Sequence, residues 1–363
     1  MHTKKEVQIM KRYGNLYEKI CDLDNLKLAH KNAQKGKGWY KEVKEINANP
    51  DYYLKKLQNM LINKIYKTSE YETFMKNDTG KERKIYKLPY YPDRIAQWAI
   101  LQVIEPILVK NFITDTYSAI PGRGIHKALH RIEKAIQTDV KGTQYCLKID
   151  AKKYYPSINH EILKNKYRKL FKDKDLIWLL DEIIDSTPGD TGIPIGNYIS
   201  QYSGNFYFSS FDHWIKEEKH IKYYFRYMDD IVILAESKEK LHQLRKEIDV
   251  YFKTKLKLKI KENWQVFPTF VRGIDYVGYR TFLNYKLLRK STCKNFKSKM
   301  NKIRNKIKSG NEINYSEWCS INSYKGWLIH CDSYRLQKKY IKPLEFHSNQ
   351  YYLKNIKRKG EKK

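Results

Sequence analysis

The sequence predicts a mixed α+β fold, in which strands carry a group of acidic side chains and helices surround them. The clearest sign is KYYFRYMDDIVIL at 222–234, where two apolar, β-prone runs flank Asp229 and Asp230 and so predict a tight hairpin. Residues 145–149 predict a buried strand that ends at Asp150. By contrast, 95–110 and 238–252 repeat apolar residues at helical spacing.

Composition narrows the functional class. The 363 residues, 41% of them hydrophobic, suffice for one large domain or for two to three modest ones. Lys and Arg number 72 against 40 Asp and Glu, and the resulting net charge of +32 indicates a polyanionic partner. The 31 Tyr and 7 Trp residues favour nucleic acid over a membrane surface, since flat rings stack on bases, although most individual Tyr side chains are expected in the core.

Membrane and disulfide chemistry are not expected. No stretch approaches the roughly 20 apolar residues of a membrane span, and residues 1–14 lack the apolar core of a signal peptide. We therefore expect a cytoplasmic protein. Five cysteines without CxxC spacing predict reduced packing residues and neither a disulfide framework nor a zinc site: Cys21, Cys146, Cys293, Cys319 and Cys331.

The N-terminal part is predicted to be helical and basic up to about residue 66. A short strand then precedes a helix that opens near Pro92 and Asp93. Arg83, Lys84 and Arg94 lie in this strand and at the helix start, where their cations suit a triphosphate. For each of them singly, an ordinary surface charge is an equally good interpretation.

A loop with the sequence PGRG at 121–124 precedes the next helix. It is not a Walker motif, because no GKS or GKT follows, but Arg123 and backbone N–H groups could meet a phosphate there. His126 and His130 have the i,i+4 spacing of a metal pair. Because no third ligand accompanies them, we assign them to structure or nucleic-acid contact.

The acids carry the chemical prediction. Asp-Asp pairs are common in exposed turns, so the pair alone is only a turn signal. A hairpin tip with a third acid, Asp150, at a strand end is more specific, because adjacent carboxylates repel each other unless a hard cation binds between them. Asp150, Asp229 and, more weakly, Asp230 would hold two Mg²⁺ ions about 4 Å apart, which activate a 3′-hydroxyl and stabilise a leaving pyrophosphate. The expected reaction is nucleotidyl transfer.

Downstream segments complete the pattern. Helices are predicted at 159–186, followed by a turn-rich loop with Gly192, Pro194 and Gly196. The segment LKLKIKENWQVF, residues 256–267, alternates as a strand does, and RGIDYVGYR predicts a second small hairpin. From Leu287 the chain is expected to be helical and basic, ending in a frayed charged tail.

In this order the signals resemble reverse transcriptases: a strand ending in Asp150, the loop GIPIGNYISQ, the YMDD hairpin and GIDYVGYR. The resemblance spans nearly the whole chain and implies a right-hand polymerase with fingers, an antiparallel palm sheet bearing the acids and a helical thumb. It implies fingers at about 1–140 and 160–200, palm at about 141–160 and 200–285, thumb at 286–345 and a basic tail at 346–363.

The resemblance also implies residue roles. Asp150 and Asp229 match the metal-binding aspartates for Mg²⁺, with Mn²⁺ as an alternative, and Asp230 matches the accompanying acid. Tyr155 matches the steric gate that excludes the 2′-hydroxyl of ribonucleotides. Further residues are expected at the incoming dNTP: Lys84, Arg94, Arg83, Ile195, Gly196, Ser200 and Gln201. Others are expected along the nucleic acid: Tyr227, Met228, Arg123, and the primer-grip residues Gly278 and Tyr279.

One departure narrows the family. Ile195 to Gln201 read IGNYISQ where these enzymes usually carry Gln-Gly-x-x-x-Ser-Pro. The change resembles enzymes of diversity-generating retroelements, related to bacterial enzymes of the group II intron type, as do PGRGIH, WQV and KLLRKS. The resemblance implies error-prone copying of an RNA template into cDNA, a structured noncoding RNA and a small basic accessory protein. Losing one hydrogen bond of about 0.5–1.5 kcal/mol at Ile195 changes discrimination only roughly 2- to 13-fold.

Two alternative functions remain open. Similar bacterial reverse transcriptases act in antiviral defence by copying a dedicated noncoding RNA, and a non-catalytic RNA-binding or maturation protein can share the fold.

A second departure from the family pattern concerns the lysine expected after the hairpin helix. Its position is taken by Trp264, with Lys259 and Lys261 nearby, so the acid that protonates pyrophosphate stays unassigned.

Overall fold

A computed structural model describes residues 12–78 and 81–357. The chain divides into two compact units. The first comprises Met1–Ile120, Ile149–Asp229 and Leu244–Trp264, and the second comprises Pro121–Lys148, Asp230–Gln243 and Gln265–Lys363. The turn at Thr79-Gly80 and the last six residues of the predicted tail lie outside the described residues.

Helices dominate the described chain, as the periodicity predicts. They are α1 (Tyr17–Cys21), α2 (Leu23–Ala33), α3 (Lys41–Ala48), α4 (Pro50–Ile62), α5 (Ile95–Lys110), α6 (Ile125–Thr138), α7 (Tyr154–Ser157), α8 (His160–Leu170), α9 (Lys174–Asp185), α10 (Tyr198–His213), α11 (Lys238–Tyr251), α12 (Thr269–Arg272), α13 (Lys290–Lys308), α14 (Tyr315–Leu328), α15 (Tyr334–Leu336) and α16 (Lys342–Tyr352). Wider helical turns occupy Tyr90–Arg94, Trp214–Glu218, Phe252–Leu256, Gln337–Ile341 and Leu353–Lys357, and a tighter turn occupies Lys141–Thr143.

Three sheets contain the strands. They are β1 (Glu72–Asp78), β2 (Lys81–Lys87), β3 (Thr116–Tyr117), β4 (Tyr145–Asp150), β5 (Tyr223–Tyr227), β6 (Asp230–Ala235), β7 (Gln265–Pro268), β8 (Ile274–Tyr276), β9 (Tyr279–Thr281) and β10 (Lys286–Leu288). β1 and β2 form an antiparallel hairpin, the five-stranded sheet has the order β3-β5-β6-β4-β7, and the third sheet has the order β10-β9-β8.

The first unit is built around α5. This helix is apolar on nearly every side, from Ile95 to Leu108, which is typical of a helix buried between others. It packs against α2 and α10. Side-chain caps begin several of the surrounding helices: Asp22 accepts N–H donors of α2, Asn49 precedes Pro50 at the start of α4, and Asp173 caps α9.

The second unit contains the small sheet of β8, β9 and β10 and the C-terminal helices. Phe296, Met300 and Ile303 form the buried stripe of the basic helix α13, and Ile321 and Leu328 are the buried residues of α14. Asn314 and Glu317 form a capping box at the start of α14, which satisfies two backbone N–H groups at once.

Several expectations need correction. The large sheet is not purely antiparallel, because β3 pairs with β5 in parallel register. The strand expected at 256–267 is confined to Gln265–Pro268: Leu256 ends the helical turn Phe252–Leu256, and residues 257–264 are irregular apart from a bridge between Ile260 and Ala151. The predicted thumb–tail border at 345/346 lies within α16, and the domain bounds stay a prediction. Among the described residues, no helix is both long and apolar enough to cross a membrane.

Candidate active site

Asp229 lies in the turn that follows β5, as the hairpin prediction requires. The preceding residue, Met228, has a left-handed backbone with φ of +52°. Non-glycine residues adopt this conformation only when their surroundings hold them there. The turn is therefore fixed by its contacts, and those contacts position Asp229.

Asp150 is the last residue of β4. The backbone beside it pairs with a later segment: Ala151 forms a bridge with Ile260, and the Lys261 amide donates to the Asp150 carbonyl at 2.9 Å. This pairing brings the Lys261 ammonium to 3.0 Å from the Asp150 carboxylate. Of Lys259 and Lys261, the two lysines near Trp264 in the sequence, Lys261 is the one that contacts Asp150.

The charge of Asp150 acts on Asp229 within the first unit. Burial, and then the negative charge of Asp150, raise the pKa of Asp229, while Lys261 and Arg83 act in the opposite direction. Asp150 therefore lies close enough to Asp229 for its charge to disfavour ionisation of the Asp229 carboxyl. Such a pair binds protons or cations more readily than an isolated surface aspartate does.

These residues fit a divalent cation. Carboxylate oxygens are the ligands that Mg²⁺ prefers, and Mg²⁺ commonly takes one or two carboxylates and completes its shell with water and substrate phosphates. Within the part of the chain that the structure describes, no group of three or more His, Cys, Asp or Glu side chains is arranged to hold a metal. The donor set of Asp150 and Asp229 therefore suits ions shared with a nucleotide and not a closed structural metal site.

Tyr155 lies beside the acids. Its hydroxyl donates to the Met228 sulfur at 3.7 Å. Burial, and then the charge of Asp229, raise the pKa of Tyr155, so the ring and the carboxylate are neighbours. The Tyr155 ring packs beside Gly204 on α10, where an added Cβ would lie in ordinary van der Waals contact with it at 3.6 Å. The predicted sugar filter and the predicted metal ligand are therefore close together.

Sequence reasoning missed the residue that holds the turn. Arg226 on β5 is fully buried and donates to both carboxylate oxygens of Asp212, at 2.7 and 2.5 Å. It also donates to Asn205 at 3.1 Å and to the Met228 carbonyl at 2.9 Å. Burial by itself lowers the pKa of Arg226, but Asp212 raises it above its usual value, so the guanidinium stays charged. In the sequence, an Arg between Phe225 and Tyr227 gives no sign of this role.

The three predicted fingers cations, Arg83, Lys84 and Arg94, have different neighbours in the structure. Arg83 acts on Asp229 and on Tyr155 electrostatically. Lys84, the next residue of β2, instead lies over the Tyr86 ring at 5.3 Å, because successive residues of a strand point to opposite faces. Arg94 has Tyr90, Tyr40 and Lys37 as its charged or titratable neighbours. Of the three cations, Arg83 is the one that the structure joins to the acids.

The loop before α10 packs on β2. The Tyr86 amide donates to the Ile195 carbonyl at 2.9 Å. Gly196 has φ of +129°, and a Cβ there would lie only 2.3 Å from the Tyr86 carbonyl oxygen, so this position requires glycine. Ser200 is buried and Gln201 is exposed. Contact of Ile195, Gly196, Ser200 and Gln201 with a nucleotide stays a prediction.

Asp230 begins β6 in the second unit. The Lys148 ammonium lies 3.4 Å from its carboxylate and also donates to the Asp275 carbonyl. Arg123, in the same unit, precedes α6, and its contact with phosphate stays a prediction, as does nucleic-acid contact by Tyr227.

The predicted primer grip is a tight contact with α14. Gly278 has φ of +90°, and a Cβ there would lie 2.4 Å from the Trp327 ring. The Tyr279 ring is buried and stacks on Trp327 with a centroid distance of 5.3 Å, and its hydroxyl donates to the Trp327 carbonyl at 3.0 Å. Any contact of Tyr279 with nucleic acid would therefore use its backbone.

The two histidines of α6 and Trp264 contact other side chains of the protein. His126 stacks on His330 with a centroid distance of 3.7 Å, and His130 lies 3.2 Å from Glu133. Of the two, only His126 is partly buried in the second unit, whereas His130 is exposed. Trp264 lies under the Arg245 guanidinium at 4.6 Å.

Comparison with known families identifies the class of protein to which this mixed α+β fold belongs. The family model "Reverse transcriptase (RNA-dependent DNA polymerase)" matches residues 74–281, more than half of the chain. The chain belongs to the reverse transcriptase family.

Individual relatives are distant. The protein YkfC of Escherichia coli K12 is 24% identical over a match that covers 57% of this chain and 65% of that protein. Nuclear intron maturase 1 of Arabidopsis thaliana mitochondria is 23% identical over 28% of this chain and 14% of that protein. The chain thus spans less than two thirds of either relative.

Solved structures include telomerases. Apo telomerase from Candida tropicalis matches with a TM-score of 0.48 and 13% identity, covering 62% of this chain and 48% of that one. Telomerase from Candida albicans in complex with a telomeric RNA fragment matches with a TM-score of 0.47 and 11% identity, covering 70% of this chain and 56% of that one.

Proposed function

We propose that this protein is an RNA-templated DNA polymerase that adds deoxynucleotides to a primer by nucleotidyl transfer. The observation that carries the proposal is the pair Asp150 and Asp229, in which the charge of Asp150 raises the pKa of Asp229. Tyr155 and Arg83 lie at the same place. An acid pair, a ring and a cation together supply what a deoxynucleoside triphosphate requires.

In the proposed reaction, the primer 3′-hydroxyl oxygen bonds to the α-phosphorus of the incoming nucleotide. The bond from that phosphorus to the pyrophosphate oxygen breaks, and the hydroxyl proton passes to solvent. Mg²⁺ ions bound by the carboxylates would supply Lewis-acid stabilisation of the attacking and leaving oxygens. Asp230, one residue from Asp229, would be the accompanying acid.

The side chains of the chain itself orient the substrate. Arg83 would pair with the triphosphate, since a guanidinium offers several donors to phosphate oxygens. Lys261 balances the charge of Asp150 at 3.0 Å. Tyr155, held against Met228, would contact the sugar and exclude a 2′-hydroxyl. The surplus of 32 positive charges suits an RNA template and its cDNA product.

The first test is polymerisation itself. The purified protein is given primed RNA, the four dNTPs and either Mg²⁺ or Mn²⁺, and the product is treated with DNase and RNase. We expect an extended, DNase-sensitive strand whose sequence follows the RNA. A complete lack of extension with both ions would favour the non-catalytic RNA-binding function and would contradict the proposal.

We further propose that the biological role is error-prone cDNA synthesis in a diversity-generating retroelement, together with a structured noncoding RNA and a small basic accessory protein. The support is the loop from Ile195 to Gln201, in which Ile195 offers no side-chain hydrogen bond and whose backbone is fixed to β2 through Tyr86. That contact gives the loop a defined position beside the strand that carries Arg83.

Sequencing of the cDNA tests this role. Errors concentrated opposite template adenines would support diversification, whereas faithful or repetitive products would support the antiviral-defence role instead. Ile195→Gln should lower the error frequency by roughly 2- to 13-fold, the effect of one neutral hydrogen bond. An unchanged error spectrum would remove the argument from the loop.

A further inference from the structure

A loop in the N-terminal part of the first unit exposes an aromatic ring beside cations that the acid pair does not use. We call residues 34–40, between α2 and α3, the Trp39 loop. Trp39 is 73% exposed, and its ring meets that of Tyr40 edge to face with a centroid distance of 4.3 Å. Gly36 and Gly38 have open space around them. One face of the Trp39 ring is therefore available to a flat ligand.

The loop is anchored beside Arg94. At the end of α2, His30 bonds the Tyr90 hydroxyl at 2.7 Å. At the start of α3, the Glu42 carboxylate accepts the Tyr90 amide at 2.7 Å. Both ends of the Trp39 loop are thus tied to the turn Tyr90–Arg94, which presents the Arg94 guanidinium to Tyr40 and Lys37.

Arg94 and Lys37 form a pair of cations. Each is half-buried, and among residues 12–78 and 81–357 neither is paired with a carboxylate. The Arg94 Nε atom is buried without a hydrogen-bond partner in the same part of the chain. Burial and then the charge of Arg94 lower the pKa of Lys37, which is what two neighbouring cations without a counterion produce.

Two nearby acids have other partners. Asp93, next to Arg94 in the chain, is buried; its Oδ1 accepts from the Tyr66 hydroxyl at 2.8 Å and the Ser69 amide at 3.1 Å, and its Oδ2 has no hydrogen-bond partner among the described residues. Glu42 is occupied by the Tyr90 amide. A buried guanidinium without an acceptor is costly, so a phosphate is the partner that this arrangement suits.

We propose that the Trp39 loop and Arg94 bind single-stranded RNA, with a backbone phosphate between Lys37 and Arg94 and a base stacked on Trp39. Single-strand binding proteins combine cations along the backbone with exposed rings under the bases. A free triphosphate fits less well, because among the predicted fingers cations Arg83, and not Arg94, acts on Asp229. The inference rests on the proposed RNA-copying function, and it moves Arg94 from the incoming nucleotide to the template.

The experiment measures binding without dNTPs, so that it does not depend on catalysis. Fluorescence anisotropy compares a blunt primer–template duplex with one that carries a single-stranded 5′ RNA overhang. The quantity of interest is the gain in affinity that the overhang provides. Trp39→Ala should reduce this gain by roughly 5- to 150-fold, the range for loss of one stacked base, whereas Trp39→Phe should retain most of it.

The charge is tested by salt dependence. Lys37→Met should reduce the slope of log affinity against log salt for the overhang by about 0.7, the value for one phosphate contact on a single strand. Two matched controls lie outside the loop: Tyr52→Ala removes a ring that is 55% exposed, and Lys44→Met removes an exposed lysine of α3. Both should leave the gain unchanged.

An unchanged overhang gain in Trp39→Ala and Lys37→Met, or an equal loss in the two controls, would overturn the proposal. A raised KM for dNTPs in Lys37→Met, with the affinity gain from the overhang unchanged, would likewise overturn the proposal. It would indicate that Arg94 binds the incoming nucleotide and not the template. If the overhang gain depends on Trp39 but the wild type never extends a primer, the polymerase function fails while the RNA site stands.

Discussion

Replacing Arg226 by Met should greatly lower the free energy of unfolding of the first unit. The substitution removes donations to both Asp212 oxygens, to Asn205 and to the Met228 carbonyl. Arg226 and Asp212 are each fully buried. Removal of one partner of a buried ion pair leaves the other charge without its counterion, which costs about 3–5 kcal/mol.

The magnitude is measured by urea unfolding. An exposed pair provides the matched control: Lys240 lies 2.9 Å from Glu236 at i,i+4 spacing, with half or more of the lysine side chain exposed. Lys240→Met should cost at most about 0.5 kcal/mol. If Arg226→Met also costs less than about 1 kcal/mol, the view that this pair is a desolvated, charged element of the fold is wrong.

A second variant at the same position, Arg226→Lys, tests whether Arg226 positions the turn. Loss of the bond to the Met228 carbonyl frees the left-handed turn before Asp229. Arg226→Lys keeps the charge but lacks the fork that reaches several acceptors. It should therefore recover part of the stability and little of the primer extension, measured where both proteins are folded. Equal recovery of stability and extension would show that Arg226 acts only on folding.

Two further predictions follow from the packing. Gly278→Ala should destabilise the second unit by about 1–3 kcal/mol in thermal unfolding, because φ is positive there and the added Cβ would collide with the Trp327 ring. The control Gly326→Ala, on α14 with open space around it, should be neutral or stabilising by up to about 1 kcal/mol. Equal effects of the two substitutions would contradict the role of Gly278 in packing against Trp327. Tyr155→Ala should lower the preference for dNTPs over rNTPs by about tenfold or more in kcat/KM, because the ring held against Met228 no longer occupies the space of the 2′-hydroxyl; unchanged sugar selectivity would remove the steric-gate assignment.

The elements that the sequence predicts well are those with a strong local pattern. The hairpin around Asp229 follows from two β-prone runs and a turn, and the helix at 95–110 follows from apolar residues on every side. Asp150 falls at the end of β4 because a polar residue closes a buried run. In each case neighbouring residues along the chain supply the signal.

The rest depends on contacts between distant segments. Lys261 meets Asp150 from 111 positions away through a short backbone pairing, and nothing near either residue indicates it. Residues 256–267 alternate as a strand does, yet the pattern also suits the end of a helix, and the helical turn Phe252–Leu256 takes its first residue. From the sequence, Arg226 looks like one more surface cation in a basic chain, because composition does not reveal that it forms a buried ion pair with Asp212.

Primer extension by an Asp229 variant decides whether the carboxylate of Asp229 is catalytic. The rate of dNTP addition to a primer on an RNA template is compared for the wild type, Asp229→Asn and Asp185→Asn, the last of which removes a surface carboxylate paired with Lys164. We predict that Asp185→Asn matches the wild type, while Asp229→Asn, which keeps the side-chain shape, loses about 100-fold or more. Extension that persists in Asp229→Asn would contradict the assignment of this carboxylate pair as the catalytic site.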